Sequence, residues 1–73
     1  GKFSAEQMRL DQFFAEISRY RKGIIRVHPE IASMRLTGRF DLHDTDRTLE
    51  MVEKAFPVNI EYFTSYWVNI NPQ

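Results

Sequence analysis

The sequence predicts a small α+β fold: two βαβ-type motifs, a C-terminal β-hairpin, and two main helices packed on small sheets. Three observations carry this. The run Met34-Arg35-Leu36-Thr37-Gly38-Arg39-Phe40 alternates strictly, with Met34, Leu36, Gly38 and Phe40 on one side and Arg35, Thr37 and Arg39 on the other. A period of two marks a strand with one buried face and one wet face. Each flank of this strand carries apolar residues at helical spacing. Each helical stretch then ends at a breaker, Gly23 or Pro57, and runs into a short apolar segment, so the same order of elements occurs twice.

Taken in order, Lys2 to Ala5 reads as a short first strand anchored by Phe3. Between Arg9 and Lys22, Leu10, Phe13, Phe14, Ile17 and Tyr20 form one apolar stripe, opposite Asp11, Gln12, Glu16, Arg19 and Lys22. Asp11 falls in the first turn, and Arg19, Arg21 and Lys22 in the last, as the helix dipole favours. Gly23 suits the C-terminal stop. Ile24 to Val27 is a β-branched strand, closed by His28-Pro29 because proline restricts the residue before it and cannot donate to a ladder. Pro29 to Ser33 forms a turn leading into the alternating strand. Asp44 suits the N-cap of a second helix, with Asp46 in its first turn. Thr45, Thr48, Leu49, Val52 and Phe56 mark the inner face of that helix, with Met51 and Ala55 beside it and Glu50, Glu53 and Lys54 solvated. Pro57 stops it. Val58 to Phe63 and Tyr66 to Ile70 pair as a hairpin across Thr64-Ser65, and Asn71-Pro72-Gln73 reads as a frayed end.

The 73 residues suffice for a single domain spanning 1–73. A chain this short buries only about 60% of the surface it exposes when unfolded, so its stability rests on few contacts. With no cysteine, no disulfide reinforces it; the core draws on six Phe, three Tyr and one Trp. Lys plus Arg balances Asp plus Glu at ten each, so no global field attracts nucleic acid or an anionic membrane. Seven of those cations are Arg, the residue suited to bidentate pairing with carboxylates. No apolar run approaches the ~20 residues of a membrane span. Gly1-Lys2-Phe3-Ser4 shows no signal peptide, and the chain reads as an excised domain of a longer parent.

Chemistry-bearing clusters do not stand out. His28 and His43 make no H-x-x-x-H pair, and helix capping accounts for Asp41, Asp44 and Asp46 better than a calcium loop does. Ser4, Ser18, Ser33 and Ser65 lack a nucleophile-elbow context, and the scattered glycines build no phosphate loop. The reading is of a binding module, not an enzyme, with no cofactor and no metal expected. The basic run Arg19, Arg21, Lys22 and Arg26 fits helix-dipole complementation rather than a nucleic-acid patch.

The order Leu10-x-x-Phe13-Phe14-x-x-Ile17, Gly23-Ile24-Ile25, Leu36-x-Gly38-x-Phe40 and a helical Leu49 resembles the secretin and TonB short N-terminal (STN) domain over nearly the whole chain. Gly38-Arg39-Phe40, Asp44-x-Asp46-x-x-Leu49, Phe56-Pro57-Val58 and Tyr66-Trp67-Val68-x-Ile70 look like the C-terminal periplasmic end of FecR-type anti-sigma regulators. Signalling domains of TonB-dependent transducers usually carry a Gly-Thr-Gly-Leu turn where this chain has Lys54-Ala55-Phe56-Pro57, which favours the regulator. The resemblance implies a periplasmic module of a single-pass inner-membrane protein of Gram-negative bacteria. It would contact the signalling domain of an outer-membrane siderophore transducer, while the parent chain acts on an extracytoplasmic-function sigma factor and undergoes regulated proteolysis. The balanced charge leads to the expectation of no nucleic-acid partner and no direct membrane contact by this segment.

Candidate contact residues follow from the expected sheet edges and the closing hairpin. Tyr62, Phe63, Tyr66 and Trp67 place aromatics on both hairpin faces. Tyr66, in step with Val68 and Ile70, is expected in the core. Trp67, on the opposite face with Asn69, suits either core completion or an interface anchor. Arg35 and Arg39 share the wet face of the central strand, where they suit carboxylates across an interface or a solvated pairing with Glu61. The alternative readings are an N-terminal domain of a secretin-type ring, which would self-associate, and the transducer's own signalling domain.

Overall fold

The computed structural model of the chain describes residues 2–73. Its elements in order are β1 (Lys2–Arg9), α1 (Leu10–Ser18), β2 (Ile24–Val27), β3 (Arg35–Asp41), α2 (Thr45–Ala55), β4 (Val58–Thr64) and β5 (Trp67–Pro72). Both strand–helix–strand units are present, and β4 and β5 form the closing hairpin. Tertiary structure settles how they interleave. The opening strands of the two units, β1 and β3, pair antiparallel in a two-stranded sheet. The closing strands, β2 and β4, flank β5 in a three-stranded sheet, β2 parallel to it and β4 antiparallel. Each unit thus starts in one sheet and ends in the other. Its helix packs on strands of both: α1 on β1, β3 and β2, and α2 on β3 and β4.

β1 continues past Ala5 to Arg9 through a bulge. Ala5 pairs with Gly38 and Met8 with Leu36, so three steps on β1 match two on β3. The extra residue turns Met8 to the same side as Ala5, which plain alternation forbids. Gln7 takes the strain at φ +50°, and its N–H donates to Thr37 Oγ1 at 3.0 Å.

α1 is shorter than the apolar stripe suggested. It ends at Ser18, with Arg19 as C-cap, rather than at Lys22. Tyr20 therefore lies beyond the helix and is half-exposed instead of joining the stripe. Arg21 and Lys22 fall outside the last turn, so the dipole account of them does not hold; Arg19 makes a loose pair with Glu16 at 3.6 Å. At the other end the Leu10 and Asp11 N–H groups donate to the carbonyls of Met34 and Ala32 at 2.8 and 3.3 Å. The turn before β3 thus satisfies donors that every helix start leaves open. Gly23 closes this segment at φ +97°, a region that favours glycine.

Leu10, Phe13, Phe14 and Ile17 of α1 meet Leu36 and Phe40 of β3, Leu49 and Val52 of α2, and Val58, Val68 and Ile70 of the larger sheet in one core. Phe13 lies at its centre, edge-on to Phe14 and Phe40 at 5.1 and 4.8 Å between ring centroids. The space left by Gly38 is taken by Phe40 of the same strand: a Cβ on Gly38 would sit 3.0 Å from that ring. Asp44 caps α2 by accepting the Arg47 N–H at 3.1 Å, and the helix stops before Pro57. Glu53, expected to be solvated, accepts the Ile60 N–H at 2.7 Å. Asn71 and Pro72, expected to fray, belong to β5, where Pro72 pairs with Val58. The Gln73 N–H donates to the Pro57 carbonyl at 3.3 Å.

Candidate protein-binding surface

The outer face of the β2–β5–β4 sheet is set by β5. Val68 and Ile70 are buried, so pleating turns Trp67 and Asn69 outward. Parallel register places Ile24 beside Trp67 and Arg26 beside Asn69. On the hairpin side Tyr62 opposes Val68 and Thr64 opposes Trp67, leaving Phe63 as the extra residue of a bulge. That bulge brings the Phe63 ring to 5.4 Å from the Trp67 ring, tilted by 58°. The Arg26 guanidinium lies over Trp67 at 5.9 Å, a cation–π contact worth ~0.5–1 kcal/mol at an exposed site. The indole N–H donates to Asn69 Oδ1 at 3.0 Å.

The result is a supported but uncovered aromatic pair. Phe63 is 58% exposed and Trp67 41%, with Ile24 half-exposed beside them. Tyr66 joins this end of the sheet and corrects the expectation that it belongs to the core. The hairpin turn takes up Ser65 and Tyr66, so Tyr66 never enters the β5 alternation and its residue is 59% exposed. Its backbone is nonetheless fixed: the N–H donates to Thr64 Oγ1 at 3.0 Å, and the carbonyl accepts the Ile24 N–H at 2.8 Å. Large apolar side chains clustered in the open, with Trp, Tyr and Arg among them, match the composition of protein-binding hot spots.

The other predicted contact residues lie elsewhere. Tyr62 borders a polar crevice of about 320 Å³ shared with Arg21, Asp46 and Ser65. Partial burial pushes its phenol pKa up, and the Asp46 carboxylate adds to this. Arg21 lines the crevice, donating to Asp46 Oδ1 at 3.0 Å, to Thr45 Oγ1 at 3.4 Å and to the Ser65 carbonyl at 3.3 Å. Arg35 and Arg39 are exposed on β3, in the smaller sheet. Arg35 does not meet Glu61, which sits on β4 in the other sheet; its guanidinium donates to the Gln7 carbonyl at 3.0 Å. The Arg39 side chain has no hydrogen bond or ion pair among the described residues. Of the five predicted contact residues, Phe63 and Trp67 share one surface, Arg35 and Arg39 share the exposed side of β3 in the other sheet, and Tyr62 stands apart from both.

Ile24 and Arg26 complete that surface. Nothing in their local pattern marks them, because they reach Trp67 only through the parallel β2–β5 pairing. Arg26 lies over Trp67, whereas Arg21 reaches Asp46, Thr45 and the Ser65 carbonyl, so these two members of the basic run have different partners. Asp41 accepts the His43 N–H at 2.9 Å, which lowers its carboxyl pKa. No protein-family model matches the chain, and no curated protein matches it significantly.

Proposed function

We propose that this chain is the periplasmic protein-binding module of a FecR-type sigma-factor regulator, and that it docks on the signalling domain of an outer-membrane TonB-dependent siderophore transducer. The sequence resemblance suggests the partner. The observation that carries the contact is the exposed Trp67–Phe63 pair, held in place by Arg26, Asn69 and the β4 bulge. Rings already fixed by neighbours lose little side-chain freedom on docking, so more of their burial is available for affinity. In this reading the module binds and does not catalyse. The membrane anchor and the contact with the extracytoplasmic-function sigma factor belong to other parts of the parent chain.

Calorimetric titration with a purified transducer signalling domain tests the proposal. Trp67→Ala and Phe63→Ala should each weaken binding by ~1–3 kcal/mol while leaving the thermal melt close to that of the parent. Equal affinity in both variants removes the aromatic pair from the interface. A wild-type chain that ignores the signalling domain and sediments as rings overturns the proposal in favour of a secretin-type subunit.

A further inference from the structure

A second surface is formed on the opposite sheet. β3 pairs with β1 along one side only, since that sheet has two strands. Its other side borders a groove of about 230 Å³. Five consecutive residues, Leu36 to Phe40, line the groove on the strand side. Neighbours in a strand point to opposite faces, so a wall containing every residue in turn is the backbone edge and not one row of side chains. The facing wall is α2, through Met51, Ala55 and Phe56. α2 packs inward through Thr48, Leu49 and Val52, which leaves Met51 and the small Ala55 exposed over the groove.

We propose that this groove receives an extended acidic segment of a partner protein, added as a strand to the open edge of β3. Three features argue for that occupant. An unpaired strand edge offers N–H and C=O groups that another strand satisfies directly. The same helix treats the two sheets differently: on the β4 side, Glu53 already occupies the Ile60 N–H, whereas the β3 side remains a groove. The apolar wall, with an adaptable methionine, suits an apolar side chain from the incoming strand.

Charge selects the chemistry of the alternate positions. Arg39 forms one lip of the groove. Arg47 and Lys54 do not line the groove, but they lie four residues before and three after Met51, which makes them its neighbours on the exposed side of the helix. None of these three cations has an ion pair among the described residues. Glu50, three residues after Arg47 and four before Lys54, flanks both cations on the side away from Val52 and makes no ion pair with either among the described residues. A strand seated here alternates inward and outward, so apolar residues facing the groove would leave carboxylates facing the three cations. The site lies on a different sheet from Trp67 and does not depend on the aromatic pair.

The test is an amide-shift titration of the isotope-labelled chain with a dye-labelled, end-capped octapeptide that alternates Asp with Val and Leu. Affinity is read in parallel from fluorescence anisotropy. Shifts should concentrate at Leu36 to Phe40 and Met51 to Phe56. Exchanging the peptide's Asp for Lys, methylating its backbone nitrogens, or making Arg39→Glu in the protein should each weaken binding at least about tenfold, whereas Trp67→Ala should not. The amide spectrum of the free Arg39→Glu variant reports its folding. Absence of binding up to about 1 mM peptide, shifts centred on Ile24 and Trp67, or indifference to Lys exchange or to backbone methylation overturns the proposal.

Discussion

Gly23 passes so close to the carbonyl of Tyr66 that a Cβ in its place would lie 1.8 Å from that oxygen. The neighbouring Ile24 N–H donates to the same oxygen at 2.8 Å. The first strand–helix–strand unit is therefore stitched to the hairpin turn at a point where no side chain fits. Gly23→Ala meets two obstacles, the contact with backbone and the φ of +97°. It should destabilise the fold by more than ~2 kcal/mol, and the Ile24 amide should lose protection in hydrogen exchange. Parental stability in this variant would show that the close approach is not maintained in solution.

Leu36, on β3, is buried in the core that also holds Phe13 and Phe40. Leu36→Ala removes apolar contacts and leaves a cavity, so a loss of ~2–5 kcal/mol is expected. Chemical denaturation measures it directly, and an unchanged midpoint removes Leu36 from the core.

Arg21 and Asp46 form an asymmetric pair, with side chains 12% and 81% exposed. The carboxylate is well solvated, so the ion pair itself contributes at most about 1 kcal/mol. Arg21 also donates to the Ser65 carbonyl and to Thr45, contacts that survive loss of the acid. Asp46→Ala should therefore cost under ~1 kcal/mol, and Arg21→Ala ~1–3 kcal/mol. Equal losses in thermal melts of the two variants would mean that the ion pair, not the link to the hairpin turn, dominates.

Stability should decline in acid. The Arg9 guanidinium donates to both Asp11 oxygens at 3.0 Å, and the Gln12 N–H adds a third bond at 2.8 Å. These contacts, led by the Arg9 hydrogen bond, hold the Asp11 carboxyl below its ordinary value. A depressed carboxyl stabilises the fold fully above its unfolded pKa of about 3.9 and loses that contribution as pH falls through the lower folded value. Asp41 acts in the same direction through the His43 N–H. Urea midpoints measured from neutral pH down to about pH 2 should fall below pH ~4, and less steeply in Asp11→Asn. Identical slopes in the variant and the parent would show that Asp11 does not contribute.

Local order is written plainly in this chain. The spacing of Leu10, Phe13, Phe14 and Ile17 marks α1, Asp44 and Pro57 bracket α2, and the alternation around Leu36 marks β3 and its buried side. Each of these signals involves residues a few positions apart, whose periodicity reports directly which face is apolar. The signals break down where a single residue shifts phase. The bulge at Gln7 turns Met8 inward, and the early end of α1 puts Tyr20 outside. The turn at Ser65-Tyr66 removes Tyr66 from the core row.

The candidate surface divides in the same way. Phe63 and Trp67 are visible in the sequence as aromatics on a closing hairpin, while their neighbours Ile24 and Arg26 lie some forty residues away and are recruited by parallel pairing. The distribution of cations also emerges only on folding: Arg21 is drawn into a crevice, Arg26 onto an indole, and Arg39 is left open. By itself the sequence determined two strand–helix–strand units, a closing hairpin and most of the core, because helical and strand periods are local properties. Tertiary structure alone decided that the units share two sheets, which edges stay unpaired and which side chains meet, because those outcomes depend on contacts between segments that are distant along the chain.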